Sequence, residues 1–123
     1  MTDAIFEITK AATFDAAHHM IHPAAPGHYH RMHGHSFKVE ASVRGPAAEG
    51  LGWVEDLAAL DGALRAAALE LDHGLLNDKP GLETPTLENL CLYFAGRLKP
   101  RFAGLSRIVV SRPTIGESCS LAL

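Results

Sequence analysis

Seven of the chain's 8 histidines fall in one stretch, HHMIHPAAPGHYHRMHGH, residues 18 to 35. Imidazole is the commonest metal ligand near neutral pH, so metal chemistry is the first to consider. On a strand, His33 and His35 stand at i and i+2, and both side chains leave the same face. Gly34 between them lets another backbone come close. A third ligand must come from a strand lying alongside, and His18 closes the F-D-A-A-H run that precedes the loop. Three histidine nitrogens with a fourth position left open describe a catalytic zinc rather than a closed structural one. H-G-H by itself reads more readily as an exposed polar loop. His18, and further chemistry downstream, favour the metal. His19, His22, His28 and His30 are left as surface or rim residues.

Two later motifs could add to such a site. In LDHGLLND, residues 71 to 78, Asp72 precedes His73 at a helix end, where a carboxylate orients the imidazole and stabilises its protonated form. The plainer reading is a helix stop, a histidine near the C-terminal dipole followed by Gly74. In TPTLEN, residues 84 to 89, Glu88 sits in a first helical turn, where it complements the dipole whether or not it also faces a ligand.

The elements that must hold these residues are legible from periodicity. Residues 4–14, AIFEITKAATF, read as a first strand. In SFKVEASVRG, Phe37, Val39, Ala41 and Val43 alternate with Lys38, Glu40, Ser42 and Arg44, giving a second strand with one wet face. Pro23, Pro26 and Gly27 keep the intervening segment irregular. Residues 56–72 place Leu57, Leu60, Leu64, Ala67, Ala68 and Leu71 on one helical stripe, with Asp56 as N-cap or first-turn acid and Gly74 as the stop. A second helix follows Thr84 or Thr86 as cap, carries Leu87, Leu90, Cys91, Phe94 and Leu98 inward, and ends before Pro100. LSRIVVS and ESCSLAL read as a strand pair across the I-G-E turn. The order β-β-α-α-β-β predicts an α+β domain, one antiparallel sheet with two helices on one face.

With 123 residues the chain is expected to form a single domain over residues 1–123. Its 47% apolar and 20% charged content lies far from the disordered corner. A formal charge of -3 and a pI near 6.2 leave no basic face for nucleic acid. The opening residues carry no basic n-region or long apolar run, so no membrane partner is expected and a cytoplasmic location is. Cys91 and Cys119 read as reduced thiols.

Taken in order, F-D-A-A-H, H-G-H-S-F, G-W-V-E-D-L, L-D-H-G-L-L-N-D and P-T-L-E-N-L resemble the 6-pyruvoyl-tetrahydropterin synthase and 6-carboxytetrahydropterin synthase family, from about Phe14 to Pro100 and more loosely beyond. The carboxy-type branch of queuosine (7-deazaguanine) biosynthesis is the most similar, notably through GLETPT. This resemblance implies the tunnelling fold, whose subunits pool their sheets into a three-subunit barrel, two such trimers usually stacking, hence a homo-oligomer. It implies Zn²⁺ on His18, His33 and His35. The implied substrate is 7,8-dihydroneopterin triphosphate, which loses triphosphate and, in the carboxy-type reaction, acetaldehyde. His73 with Asp72 matches the acid–base histidine, while Glu88 and Thr86 match the pterin pocket.

The chain departs from the family pattern at two places. Where the family carries a cysteine base, four positions before the H-G-H histidine, this sequence has Tyr29, whose phenol is ordinarily a weaker base at neutral pH than a thiol. Where a V-x-E-T glutamate grips the pterin, gapless alignment gives Arg112 of S-R-P-T, and the nearby carboxylate is Glu117. An arginine offers only donors, so Glu117 is expected to serve that edge. Members with a replaced cysteine can cleave the side chain aldolase-like to 6-hydroxymethyl-dihydropterin, and a non-catalytic pterin- or zinc-binding paralogue is a further reading.

Overall fold

The computed structural model describes residues 3–123. Its strands are β1 (Phe6–His18), β2 (His33–Gly45), β3 (Leu105–Arg112) and β4 (Glu117–Ala122), and its helices are α1 (Leu57–Leu69) and α2 (Leu87–Leu98). The strands form one antiparallel sheet in sequence order. The expected β-β-α-α-β-β order and α+β class are borne out. No helix among the described residues is long and apolar enough to cross a membrane.

Alternation along β1 and β2 sets up everything else. Ala12, Phe14, Ala16, Phe37, Val39, Ala41 and Val43 all turn to the face that the helices cover. Phe14 and Phe37 stack with centroids 5.0 Å apart, and Phe94 of α2 leans on Phe14 at 5.8 Å. The helices pack there with Leu60, Leu64, Ala67 and Ala68 from α1 and Leu90, Cys91 and Leu98 from α2. Both caps form as expected. Asp56 accepts from the Ala58 N–H at 2.9 Å, and Thr86 accepts from Asn89 N–H at 3.1 Å.

β1 ends at His18, as expected of the third candidate ligand, with Ala17 and His18 pairing with Gly34 and His33. Three details differ from expectation. Leu57, in the first turn of α1, is exposed rather than part of the buried stripe, which instead takes in Ala63. Ser42, assigned to the wet face, is only 2% exposed: it lies opposite Thr9, bonds to it at 2.7 Å, and sits at an irregularity of the β2–β3 ladder. The left-handed residue after α1 is His73, φ 57°, and not Gly74. The helix ends at Leu69, the chain turns through residues 70–73, and Gly74 does not take up a positive φ.

The segment after that turn docks on β1. Ala17 N–H donates to Gly74 O at 2.9 Å, His73 N–H donates to Asp15 O at 2.6 Å, and Ala17 makes a parallel bridge with Leu75. Among the described residues, this covers the histidine end of the outer edge of β1 alone. The outer edge of β4 has no strand partner among the described residues.

Candidate metal centre and pocket

The alternation that fills the core also builds the histidine cluster. His18 continues the inward face of β1 past Phe14 and Ala16, and His33 and His35 continue that of β2 before Phe37. His33 is the direct cross-strand partner of His18, and His35 is that of Ala16. The three rings meet edge to face at 4.6–5.0 Å, seated on Phe37, which lies 6.2 Å from His18 and 5.8 Å from His35. The core thus ends in imidazoles where it reaches solvent.

The tautomers are set by backbone carbonyls. His18 Nδ1 donates to Pro85 O at 3.1 Å, and His33 Nδ1 donates to Arg31 O at 2.7 Å. Both ε nitrogens therefore carry lone pairs, and they face each other at 3.1 Å. Two lone pairs so placed repel unless a cation or proton lies between them. One nitrogen from each of the three residues falls within 4.8 Å of the others. A tetrahedral zinc with nitrogens at 2.0–2.1 Å needs ligand separations of roughly 3.3 Å, so the donor set fits such an ion. Second-sphere carbonyls that fix ring orientation are what metal-ligating histidines ordinarily have.

Burial and neighbouring charge disfavour protonation of His18 and His35. His18 is 4% exposed, and burial pushes its pKa down to about 4, helped by His33, His35 and Arg112. His35 is lowered chiefly by burial and then by Arg112, with Glu117 opposing. Neutral imidazoles are ready ligands, since a metal need not displace a proton.

A cavity of about 730 Å³ opens beside the three histidines, walled by Thr86 and Glu88 from the start of α2 and by Arg112 and Glu117 from the β3–β4 hairpin. Of the residues singled out in the sequence, His18, His33, His35, Tyr29, Thr86, Glu88 and Glu117 all line it. Tyr29 is 43% exposed, with its ring against His28 at 4.1 Å; its backbone, not its hydroxyl, is hydrogen bonded, accepting from Met20 N–H at 2.7 Å. Of the four spare histidines, His28 reaches the cavity wall.

Asp72 and His73 are not brought into this cavity. His73 lines a shallower cleft against β1 and β2, together with Gly34 and His35. Its side chain is 81% exposed, and its Nδ1 lies 2.8 Å from Asp72 Oδ2. Asp72 in turn accepts from the Asp15 N–H at 2.9 Å. The hydrogen bond to Asp72, and then its charge, raise the His73 pKa, while the Asp15 N–H and His73 lower that of Asp72. A positive φ on a residue with a Cβ is uncommon, and here it coincides with an oriented acid–base pair.

Sequence reasoning missed three contributors. Pro85 offers its carbonyl to His18. Asn77 clamps the end of β1, accepting from His19 N–H at 3.0 Å and donating to His19 O at 2.8 Å. Arg112 was set aside as a mismatch, yet it stands beside the histidines, paired with Glu117. Asn77 lies within a motif already quoted, and its signal was its place beside Leu76, the residue that buries this turn. Cys91 and Cys119 are free thiols as expected, and neither lines the cavity. Burial pushes Cys91 up to about 12, with neighbouring Cys119 adding to the effect.

Three imidazoles that could hold a metal ion stand together at the mouth of a carboxylate-lined cavity. Residues 7–122 match the family described as 6-pyruvoyl tetrahydropterin synthase, and the chain belongs to that family. Family members are enzymes that act on pterins. A protein of Archaeoglobus fulgidus, provisionally named a 6-carboxy-5,6,7,8-tetrahydropterin synthase, is 34% identical over 103 residues, covering 82% of this chain and 83% of its own. The dihydroneopterin monophosphate aldolase of Pyrococcus furiosus is 32% identical over 97 residues, covering 79% and 78%. The structure of Caenorhabditis elegans 6-pyruvoyl tetrahydropterin synthase superposes with a TM-score of 0.83 at 21% identity, covering 98% of this chain and 96% of that one, which establishes the fold.

Proposed function

We propose that this chain is a zinc-dependent lyase acting on 7,8-dihydroneopterin triphosphate or a related dihydropterin. The observation that carries the reading is the facing pair of ε nitrogens on His18 and His33, with His35 beside them, at the edge of a cavity that also holds Glu88 and Glu117. His18, His33 and His35 would hold the ion. When bound, zinc supplies a Lewis acid that lowers the pKa of a coordinated hydroxyl. The chain's own residues supply the rest. Glu88 and Glu117 offer acceptors to the amino and ring N–H donors of a pterin. Thr86 commits a lone pair to its helix cap and keeps its O–H free to donate. His73, held by Asp72, moves a proton at its free Nε2.

The carboxy-type outcome follows the Archaeoglobus relative. The aldolase outcome has a specific observation behind it: no cysteine lines the cavity, and Tyr29 stands where the family resemblance implies a thiol base. Incubation of the purified protein with dihydroneopterin triphosphate separates them by product. 6-Carboxytetrahydropterin with acetaldehyde supports the first and 6-hydroxymethyl-dihydropterin the second. Tight pterin binding without any product identifies a binding paralogue and overturns the enzymatic reading.

Tyr29→Phe should be nearly silent in that assay, because the hydroxyl makes no hydrogen bond among the described residues. Loss of a true general base costs ~10²–10⁴-fold. A fall of that size with zinc content unchanged would show Tyr29 to be the base.

The two open sheet edges support a homo-oligomer, trimeric or hexameric, since ring closure removes edges that a lone subunit exposes. Light scattering should report a mass several times 13.2 kDa at micromolar concentration. A stable monomer would refute this part of the reading.

A further inference from the structure

Arg112 ends β3 and Glu117 begins β4, and the two are direct cross-strand partners, so their side chains leave the same face of the hairpin. The Arg112 side chain is 16% exposed, and its guanidinium lies over the Phe37 ring at 5.9 Å, on the ring that also seats His18 and His35. Its Nε is 2.8 Å from Glu117 Oε1, yet the N–H is not aimed at that oxygen, so the contact is an ion pair without a hydrogen bond. That buried N–H has no other partner, and the two terminal nitrogens have none among the described residues. A buried N–H without a hydrogen-bond partner is uncommon, so the fold's own hydrogen bonds do not account for the position of this guanidinium. Both residues line the cavity beside the histidines.

The pairing changes what each group offers a ligand. Glu117 cancels the charge of Arg112, so the pair draws a neutral polar edge in preference to a free anion. Side by side they present acceptor and then donor. The recognition edge of a 2-amino-4-oxo pteridine runs amino group, ring N–H, carbonyl oxygen: donor, donor, acceptor. A glutamate alone answers only the first two. We propose that Arg112 and Glu117 read this edge together, Glu117 accepting from the amino group and ring N–H while a terminal N–H of Arg112 donates to the carbonyl oxygen. Arg112 is thereby a specificity-determining residue that selects 4-oxo over 4-amino pteridines. The proposal rests on the pterin reading above and adds to it the part of the ring system that the chain discriminates.

A 2,4-diaminopteridine replaces the carbonyl acceptor with an amino donor and the ring N–H with a lone pair, a mismatch at both positions. Leaving such groups unpaired against a charged partner costs roughly 10–100-fold in affinity. The test is equilibrium binding, by quenching of pteridine fluorescence, of neopterin and of 2,4-diamino-6-hydroxymethylpteridine to the full-length protein, metal-loaded and metal-free. Wild-type protein should prefer neopterin by that factor. Arg112→Met, which keeps the packing over Phe37, should collapse the preference with zinc content unchanged, and Arg112→Lys should retain part of it. An unchanged preference in Arg112→Met overturns the proposal, as does equal binding of both compounds by wild type. If Arg112→Met instead weakens only phosphorylated neopterin, the guanidinium faces the substrate's tail and the proposal is wrong. Wild-type protein that binds neither compound overturns the pterin reading, and this proposal with it.

Discussion

Replacing His33 and His35 together by alanine should strip the protein of zinc and abolish turnover while the chain still folds. Two of three converging imidazoles disappear, and a single histidine does not hold zinc against dialysis. Both residues are only half-buried, at the solvent end of the core, so the Phe14–Phe37 stack beneath them persists. His18 is the wrong choice for this test. It is buried, and its removal would orphan the Pro85 carbonyl and open a void over Phe37, confounding metal loss with misfolding. Elemental analysis after gel filtration reads the result directly. Because zinc binds the folded state, the melting temperature of the variant should also stop responding to added zinc, as linkage requires. Zinc retained at one equivalent per chain by the double variant would overturn the ligand assignment.

The histidine cluster was legible because strand geometry is periodic. Once SFKVEASVRG is a strand with Phe37 inward, His35 and His33 must also point inward, and a long hairpin must bring the end of the preceding strand to meet them. The helix caps at Asp56 and Thr86 were legible for a similarly local reason. What could not be read depends on where distant backbone comes to rest. The Pro85 carbonyl that sets the His18 tautomer, and the Asn77 amide that clamps His19, lie 67 and 58 residues away along the chain. No periodicity announces them. Arg112 and Glu117 were judged singly as donor and acceptor, whereas the register of a short hairpin makes them one unit. The stop signal after α1 was misread by one residue, because a glycine at 74 made the left-handed conformation seem already accounted for.

The left-handed backbone at His73 decides which substitution can test that residue. A φ of 57° strains most residues with a Cβ, but asparagine tolerates it well. His73→Asn therefore removes the imidazole without disturbing the turn. If His73 transfers a proton, kcat should fall by ~10²–10⁴-fold, with zinc content and oligomeric state unchanged. Asp72→Asn should act more mildly and in a readable direction. Its carboxylate raises the His73 pKa through a hydrogen bond and then through its charge, so losing it lowers the NMR titration midpoint of His73, and protonated imidazole persists over a narrower range of pH. An activity limb that depends on protonated His73 should move to lower pH with it. The imidazole faces a cleft shared with His35 and does not line the cavity beside the three clustered histidines of its own chain. It can meet a substrate that extends past His35, or one held by a neighbouring copy, and mixed oligomers distinguish the two. Combining His73→Asn chains with His33→Ala, His35→Ala chains restores turnover only if the imidazole serves a neighbour's site. A His73→Asn protein with wild-type kcat would reduce the Asp72–His73 pair to a helix terminus, as the plainer reading of LDHGLLND has it.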